Sequence, residues 1–243
     1  MPIRMKPEIT VFFPAYNEEE NIRIAIDNAI SVLRETAKSY EILIIVYRGS
    51  IDNTIKIVKE LMKKEKRIKL LIQPKNKKGV GYAIKMGFEA AKYDLIFYSD
   101  ADNQFNLNEF KKFLPYTKDY DIIAGYRINR QDPFMRLLTS KVYNIIVRII
   151  FGVKEKDVDC AFRLVNKSIF KKIRLICNLG LGTTEILVKT RRAGFKIKQI
   201  GVHHYPRRAG SSVFESKGIN LPKPKVVFDL LKEMAALWKE LHK

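Results

Sequence analysis

The chain has 243 residues, 47% of them hydrophobic and 11% aromatic, which excludes a disordered chain and allows a substantial core. Its 46 Lys and Arg against 26 Asp and Glu give a net charge of +20, so its partners are anionic: nucleic acid, an anionic membrane surface or phosphorylated substrates. Cys160 and Cys177 make neither a disulfide framework nor a zinc-type pair, which is the reading of a reducing compartment. The N-terminal residues lack the apolar core of a signal peptide. The longest greasy stretch, residues 142–153, is broken by Asn144 and Arg148 and falls short of the ~20 apolar residues a bilayer span needs, so no transmembrane helix is expected.

The first half alternates strands and helices. Residues 9–13 are a short apolar run ended by Pro14 and predict a buried strand. Asn17 is placed as the cap of a first helix, with Glu20 completing a capping box and Ile22, Ile26, Ala29, Ile30 and Leu33 as its apolar stripe. Residues 42–46 predict a second strand. Asp52 is placed as the cap of a second helix through Ile55, Val58, Leu61 and Met62. Residues 68–72 predict a third strand, 79–91 a third helix, and 95–98 a fourth strand that ends at Ser99-Asp100-Ala101-Asp102. Such repeated strand–helix units predict an α/β fold, a mostly parallel sheet with helices on both faces, and such sheets bind ligands at the carboxyl ends of their strands. Further on, 122–124 and 197–202 predict strands, and 134–151, 183–193 and 226–241 predict helices. Residues 201–218 read as a basic, Gly- and Ser-containing loop. The organisation expected is one domain over residues 1–220 and a C-terminal amphipathic helix over 221–243, packed on the domain or on a membrane surface.

Asp100-Ala101-Asp102 is the strongest single feature. Two carboxylates one residue apart beyond a buried strand are costly unless a cation pairs with them. Carboxylate oxygens suit Mg2+ or Mn2+ held jointly with substrate phosphates, and Gln104 adds a further oxygen within reach. The bland reading is a solvated acidic loop before residue 107, and position after the fourth strand weighs against it. His203 and His204 read as structural, since adjacent strand residues point to opposite faces. Residues 134–151 interleave apolar side chains with Arg136, Lys141 and Arg148, a pattern suited to lying among anionic headgroups; the competing reading is an ordinary core helix.

The ordered set Phe13-Pro14-Ala15-Tyr16-Asn17-Glu18-Glu19, Gly49-Ser50-x-Asp52-Asn53-Thr54, Gly79-x-Gly81-x-Ala83 and Asp100-Ala101-Asp102 resembles the family 2 glycosyltransferases. Gly125-x-Arg127, Arg136-x-x-x-Ser140, Asp157-x-x-x-Ala161-Phe162-Arg163, Glu185 and Arg207-x-x-Gly210-x-Ser212 extend the likeness to the dolichyl-phosphate mannose synthase-like, polyprenyl-phosphate branch. The resemblance implies a GT-A fold and metal-dependent, inverting transfer of a hexose from a GDP- or UDP-sugar to a polyprenyl phosphate, at the inner, cytoplasmic face of the cell membrane. It implies Asp102, Arg127 and Arg207 at the reaction centre. It implies a nucleotide pocket of Pro14, Tyr16, Glu18, Arg48, Asp100 and Ala101, and a metal site of Asp100, Asp102 and Gln104. Arg127, Arg136, Ser140 and Arg163 match acceptor-phosphate positions.

A phosphate acceptor is already ionised at neutral pH, so positioning and electrostatics carry the reaction, and arginine forks suit both phosphates. Glu185 matches a family acid near the acceptor and equally suits a helix N-terminus. The family usually carries two acids before Gly49-Ser50. Tyr47 and Arg48 stand there instead, so base recognition is rewritten. The competing readings are a glycan or small-molecule acceptor on the same fold, a catalytically silent nucleotide-sugar binder, and, on net charge alone, a nucleic-acid binder.

Overall fold

A computed structural model describes residues 6–209 and 222–243. Seven strands form one sheet in the order β3-β2-β1-β4-β6-β5-β7. They are β1 (Glu8–Ala15), β2 (Ser39–Tyr47), β3 (Ile68–Gln73), β4 (Leu95–Tyr98), β5 (Ile122–Ile128), β6 (Arg163–Asn166) and β7 (Ile197–His203). The pairs β1/β2, β2/β3, β1/β4 and β5/β7 are parallel, and β6 runs antiparallel between β4 and β5. The helices are α1 (Ile22–Thr36), α2 (Thr54–Lys64), α3 (Val80–Ala90), α4 (Phe134–Phe151), α5 (Gly182–Arg192) and α6 (Pro224–Leu241), and short 3-10 turns cover Leu107–Lys112, Leu114–Tyr116 and Lys167–Lys171.

Strand alternation divides the core in two. Ile9, Val11, Phe13, Ile42, Ile44, Val46 and Phe97 face one side, where α1 and α2 supply Ile22, Ile26, Val58 and Leu61. Phe12, Leu43, Ile45, Ile96 and Tyr98 face the other, with Ala83, Ile84 and Phe88 of α3, Ile186 and Leu187 of α5, and Met234 and Leu237 of α6. The expected α/β architecture, with helices on both faces of a mostly parallel sheet, is therefore present. β1 lies between β2 and β4. The chain adds β2 and β3 on one side of β1 and then crosses to β4 on the other, so the carboxyl end of β1 is the switch point where such sheets bind ligands.

Local chemistry departs from expectation at two helix starts. Asn17 does not cap α1, which begins five residues later; it sits at φ 54°, a left-handed conformation that Asn tolerates, and its Oδ1 accepts from the Ile51 amide at 2.9 Å. Asp52 Oδ1 does meet the first turn of α2, accepting from the Thr54 amide at 3.1 Å and its hydroxyl at 2.7 Å, while Asp52 Oδ2 accepts from the Glu19 amide at 3.0 Å. The segments at 17–19 and 50–54 thus stitch the loops after β1 and β2 together. Gly79 and Gly81 have a packing reason. Gly79 is at φ 117°, and a Cβ there would lie 2.3 Å from the Asn178 carbonyl oxygen; one on Gly81 would lie 2.7 Å from that of Cys177. β6 was not anticipated.

Candidate active site

The carboxyl ends of β1, β4 and β5 deliver the polar residues. Each of their loops contains a non-glycine residue at positive φ: Asn17 at 54°, Asn103 at 59° and Asn129 at 49°. Such turns re-aim the chain sharply. Pro14 is the penultimate residue of β1, and Tyr16 and Glu18 follow the strand; Tyr47 closes β2 and Arg48 follows; Asp100, Ala101 and Asp102 follow β4; Arg127 is the penultimate residue of β5. The Tyr16 and Tyr47 rings stand 5.7 Å apart, and Tyr47 donates its hydroxyl to the Lys75 carbonyl at 3.1 Å. Arg48 is exposed beside them.

Asp102 is buried, and its two oxygens accept from the Gln104 amide at 3.1 Å and from Arg207 at 2.8 Å. Arg207 also donates to Glu18 at 3.3 Å, so one guanidinium spans two carboxylates. Burial pushes the Glu18 carboxyl up, and the Asn21 amide and Arg207 offset part of the effect. Asp100 keeps solvent exposure as a residue, yet its carboxyl is pushed up to about 7 by the protein packed around it and by Asp102 and Asp159. Asp159, whose side chain is 47% exposed, is also raised, by the protein packed around it and by Asp157, with Arg127 opposing. Among the described residues no three His, Cys, Asp or Glu side chains converge as a complete metal cage. What the residues do form is an acidic edge short of positive charge. Asp100 and Asp102 fit a divalent ion that takes its remaining oxygens from a ligand.

Three expected members sit elsewhere. Ala101 is 2% exposed and packs in the core with Phe97 and Phe105, leaving only its backbone toward the edge. Gln104 is buried, and its Nε2 donates to the Tyr205 carbonyl at 2.9 Å while its own carbonyl accepts from the Tyr205 amide at 2.8 Å. It fastens the loop after β4 to the end of β7. Arg163 is fully buried within β6, with its fork on the carbonyls of Thr183 and Val158, so it cannot hold an acceptor phosphate. Sequence shows its charge but not its burial. Glu185 is likewise internal: it accepts from the Ile176 and Cys177 amides at 2.7 and 2.8 Å and pairs with Lys189 at 2.8 Å. Burial pushes the Cys160 thiol up to about 12. Gly210 and Ser212 lie outside the described residues.

Arg127 is sequestered more than expected. Its Nε and Nη2 donate to Asp157 at 2.6 and 2.8 Å, and both side chains are under 10% exposed. Burial opposes each charge. The pairing outweighs it, holding Asp157 down to about 2 and keeping Arg127 firmly protonated. Arg136 is 26% exposed at the start of α4, 3.1 Å from Asp132. Ser140 accepts from Arg130 at 2.8 Å. His203 pairs with Glu109 at 2.7 Å, and His204 is buried 5.1 Å from the Phe105 ring.

The glycosyl transferase family 2 profile matches residues 10–174. The chain belongs to glycosyl transferase family 2. An undecaprenyl-phosphate 4-deoxy-4-formamido-L-arabinose transferase of Pectobacterium carotovorum subsp. carotovorum (strain PC1) is 30% identical over 225 residues, covering 92% of this chain and 66% of that protein. Glycosyltransferase AglD of Haloferax volcanii is 28% identical over 82% of this chain and 33% of its own length. The chain thus spans two thirds or less of these relatives. Glucosyl-3-phosphoglycerate synthase from Mycobacterium tuberculosis, solved with Mg2+ and uridine diphosphate, superposes with a TM-score of 0.65 at 16% identity, covering 94% of this chain and 80% of that one. The same enzyme with Mn2+, uridine diphosphate and phosphoglyceric acid gives 0.63. At this identity the likeness speaks to fold, and it bears out the GT-A expectation.

Proposed function

We propose that this chain transfers a sugar, with inversion, from a nucleotide diphosphate sugar to a polyprenyl phosphate, using Mg2+ or Mn2+ held by Asp100 and Asp102. The observation that carries the reading is the charge deficit at the end of β4. Asp100, Asp102 and Glu18 gather around a single bridging guanidinium, Arg207, and Asp100 is crowded enough to hold its proton to about pH 7. The ion, when bound, would neutralise charge on the departing diphosphate. Tyr16 and Tyr47 flank the space for the base beside Arg48 and Pro14, and Arg207 stands ready to turn its fork from carboxylate to phosphate. The acceptor is ionised at neutral pH, so the protein needs to supply position and positive field rather than a strong base.

The polyprenyl phosphate is supported by the relative's name, which specifies undecaprenyl phosphate, and by α4. Phe134, Leu138, Val142, Ile145 and Ile149 of that helix are exposed; only Asn144, Val147 and Phe151 are buried. With Arg136, Lys141 and Arg148 alongside, this face suits the anionic inner surface of a membrane. Among the described residues no helix is long and apolar enough to cross one. The reading of a hexose rests on family resemblance; the relative's name carries a formamido-arabinose.

The test is a thermal-shift panel of UDP, GDP and CDP with and without Mn2+, since a ligand of the folded state raises its melting temperature by mass action. A Mn2+-dependent shift with one nucleotide, abolished in Asp102→Ala, is expected. No shift with any diphosphate would sink the donor-site reading.

A further inference from the structure

Two of the four acceptor-side residues expected from sequence are withdrawn by the structure, Arg163 into the core and Arg127 onto Asp157. An arginine absent from that set is partly exposed. Arg130 lies on the segment joining β5 to α4, directly after the left-handed turn at Asn129. Its Nε donates to Asp132 Oδ2 at 2.8 Å, and its Nη1 donates to Ser140 Oγ at 2.8 Å. Arg136 reaches the other oxygen of the same carboxylate, Asp132 Oδ1, at 3.1 Å. The Asp132 side chain is 2% exposed, whereas those of Arg130 and Arg136 are 15% and 26% exposed. His204 closes the rear, with Nδ1 3.3 Å from Asp132 Oδ2. Burial opposes the Asp132 charge, and His204 and Arg130 more than offset it, holding the carboxyl well below its usual range.

We propose that Asp132 is a positioning residue that sets the guanidiniums of Arg130 and Arg136 side by side, and that Arg130 is a further ligand of the acceptor phosphate. This deepens, and rests on, the polyprenyl-phosphate reading. Each carboxylate oxygen holds one guanidinium, so the two forks become fixed neighbours, and the shared carboxylate cancels part of their repulsion. A guanidinium carries five N–H groups. Its contacts with Asp132 and Ser140 leave Arg130 with donors over, and Ser140 fixes which way they turn. A phosphate monoester brings a charge of about −1.5 to −2 at neutral pH, which the remaining Arg130 donors of this cradle answer. The cradle is electrostatically continuous with the donor side. Arg130 lowers the carboxyls of Asp157 and Asp159, and Asp159 in turn raises Asp100. It is also mechanically tied there, since His204 precedes Tyr205, which is bonded twice to Gln104, two residues from Asp102.

The test is calorimetric titration with a water-soluble prenyl monophosphate, geranyl phosphate. The UDP and Mn2+ thermal shift serves as a separate donor-side readout, and circular dichroism melts check folding. Arg130→Gln is expected to weaken geranyl phosphate binding at least about tenfold, the worth of one charge-assisted hydrogen bond, with the donor-side shift unchanged. Arg130→Lys, which keeps the charge and loses the fork, is expected to fall between it and wild type. Asp132→Asn is expected to weaken binding and raise the acceptor KM more than it lowers kcat. Wild-type affinity in Arg130→Gln overturns the assignment of Arg130. Tighter binding in Asp132→Asn overturns the positioning role, because Asp132 would then be a competitor for the phosphate. Failure of the wild type itself to bind geranyl phosphate, with the nucleotide shift intact, overturns the acceptor reading along with this one. If Asp132→Asn does not fold, the two Arg130 variants decide.

Discussion

Replacing Asp157 with Asn is expected to be among the most damaging single changes near the site. Arg127 is held by Nε at 2.6 Å, Nη2 at 2.8 Å and its own amide at 3.3 Å, all on one carboxylate, with the two side chains 7% and 9% exposed. Its next acidic neighbour, Asp159, is 3.6 Å away. Asparagine keeps the shape, drops the charge and offers one acceptor oxygen in place of two. Stranding a buried guanidinium in this way costs about 3–5 kcal/mol. For a chain of this length each kcal/mol lowers the melting temperature by roughly 2–4 °C, so a drop of roughly 6–20 °C is expected in circular dichroism melts at pH 7. Removing both charges in Arg127→Met with Asp157→Leu leaves nothing stranded, and a smaller loss than the single change is expected. The pH dependence follows from the sign of the shift. Asp157 titrates at about 2 when folded against an ordinary 3.8. Its contribution is present above about pH 4 and is lost as pH falls through 2. The gap between wild type and Asp157→Asn should be flat from pH 7 to 5 and should narrow below about 4. A melting temperature within about 2 °C of wild type at pH 7 would refute the account of Arg127 as a clamped, buried ion.

Asp100 gives a pH prediction of the opposite sign. Its folded-state value of about 7 lies above the ordinary 3.8, so stability from its neutral form is full below about pH 4 and lost as pH rises through 7. A divalent ion must displace that proton. Mn2+ affinity measured by calorimetry should therefore rise roughly tenfold between pH 6 and 8, with about one proton released at pH 6; pH-independent binding would place the ion away from Asp100. For the membrane face, Phe134→Glu and Ile149→Glu act at side chains 75% and 78% exposed, so both should leave the melting temperature within about 2 °C and reduce sedimentation with phosphatidylglycerol vesicles severalfold. Unchanged vesicle binding would remove α4 from the interface.

The elements most legible in sequence were those whose burial pattern and period agree. The strands at β2, β3 and β4 and the helix α4 were readable because their apolar runs end at polar punctuation. β6 was hidden: four residues enter the sheet antiparallel, and the first is an arginine. Asn17 was misplaced because Asn suits a helix cap and a left-handed turn equally, and only the partner across space, Ile51, distinguishes them. For the site, the carboxylates after β4 were legible from position alone. The arginines were not, because a guanidinium's sequence neighbourhood does not say whether its partner is a ligand or an internal group. Arg163 meets two carbonyls and Arg127 meets Asp157, whereas Arg130, not singled out, meets a serine on the face of α4 that also carries Arg136.

Those partners also sort the charge of the site into three zones. Around Arg207, the carboxylates of Glu18, Asp100 and Asp102 outnumber the guanidinium, so this side lacks a cation. Arg127 and Asp157 neutralise each other in the middle. Around Asp132, Arg130 and Arg136 share one buried carboxylate. A chain of net charge +20 could have lined the whole edge with lysine and arginine. Instead Asp157 and Asp132 each hold an arginine in a fixed geometry. Under the proposed function, a diphosphate with its divalent ion would lie on the Arg207 side and the acceptor phosphate on the Asp132 side. The buried Arg127–Asp157 pair would add no net charge to the repulsion that two such phosphates must overcome to meet.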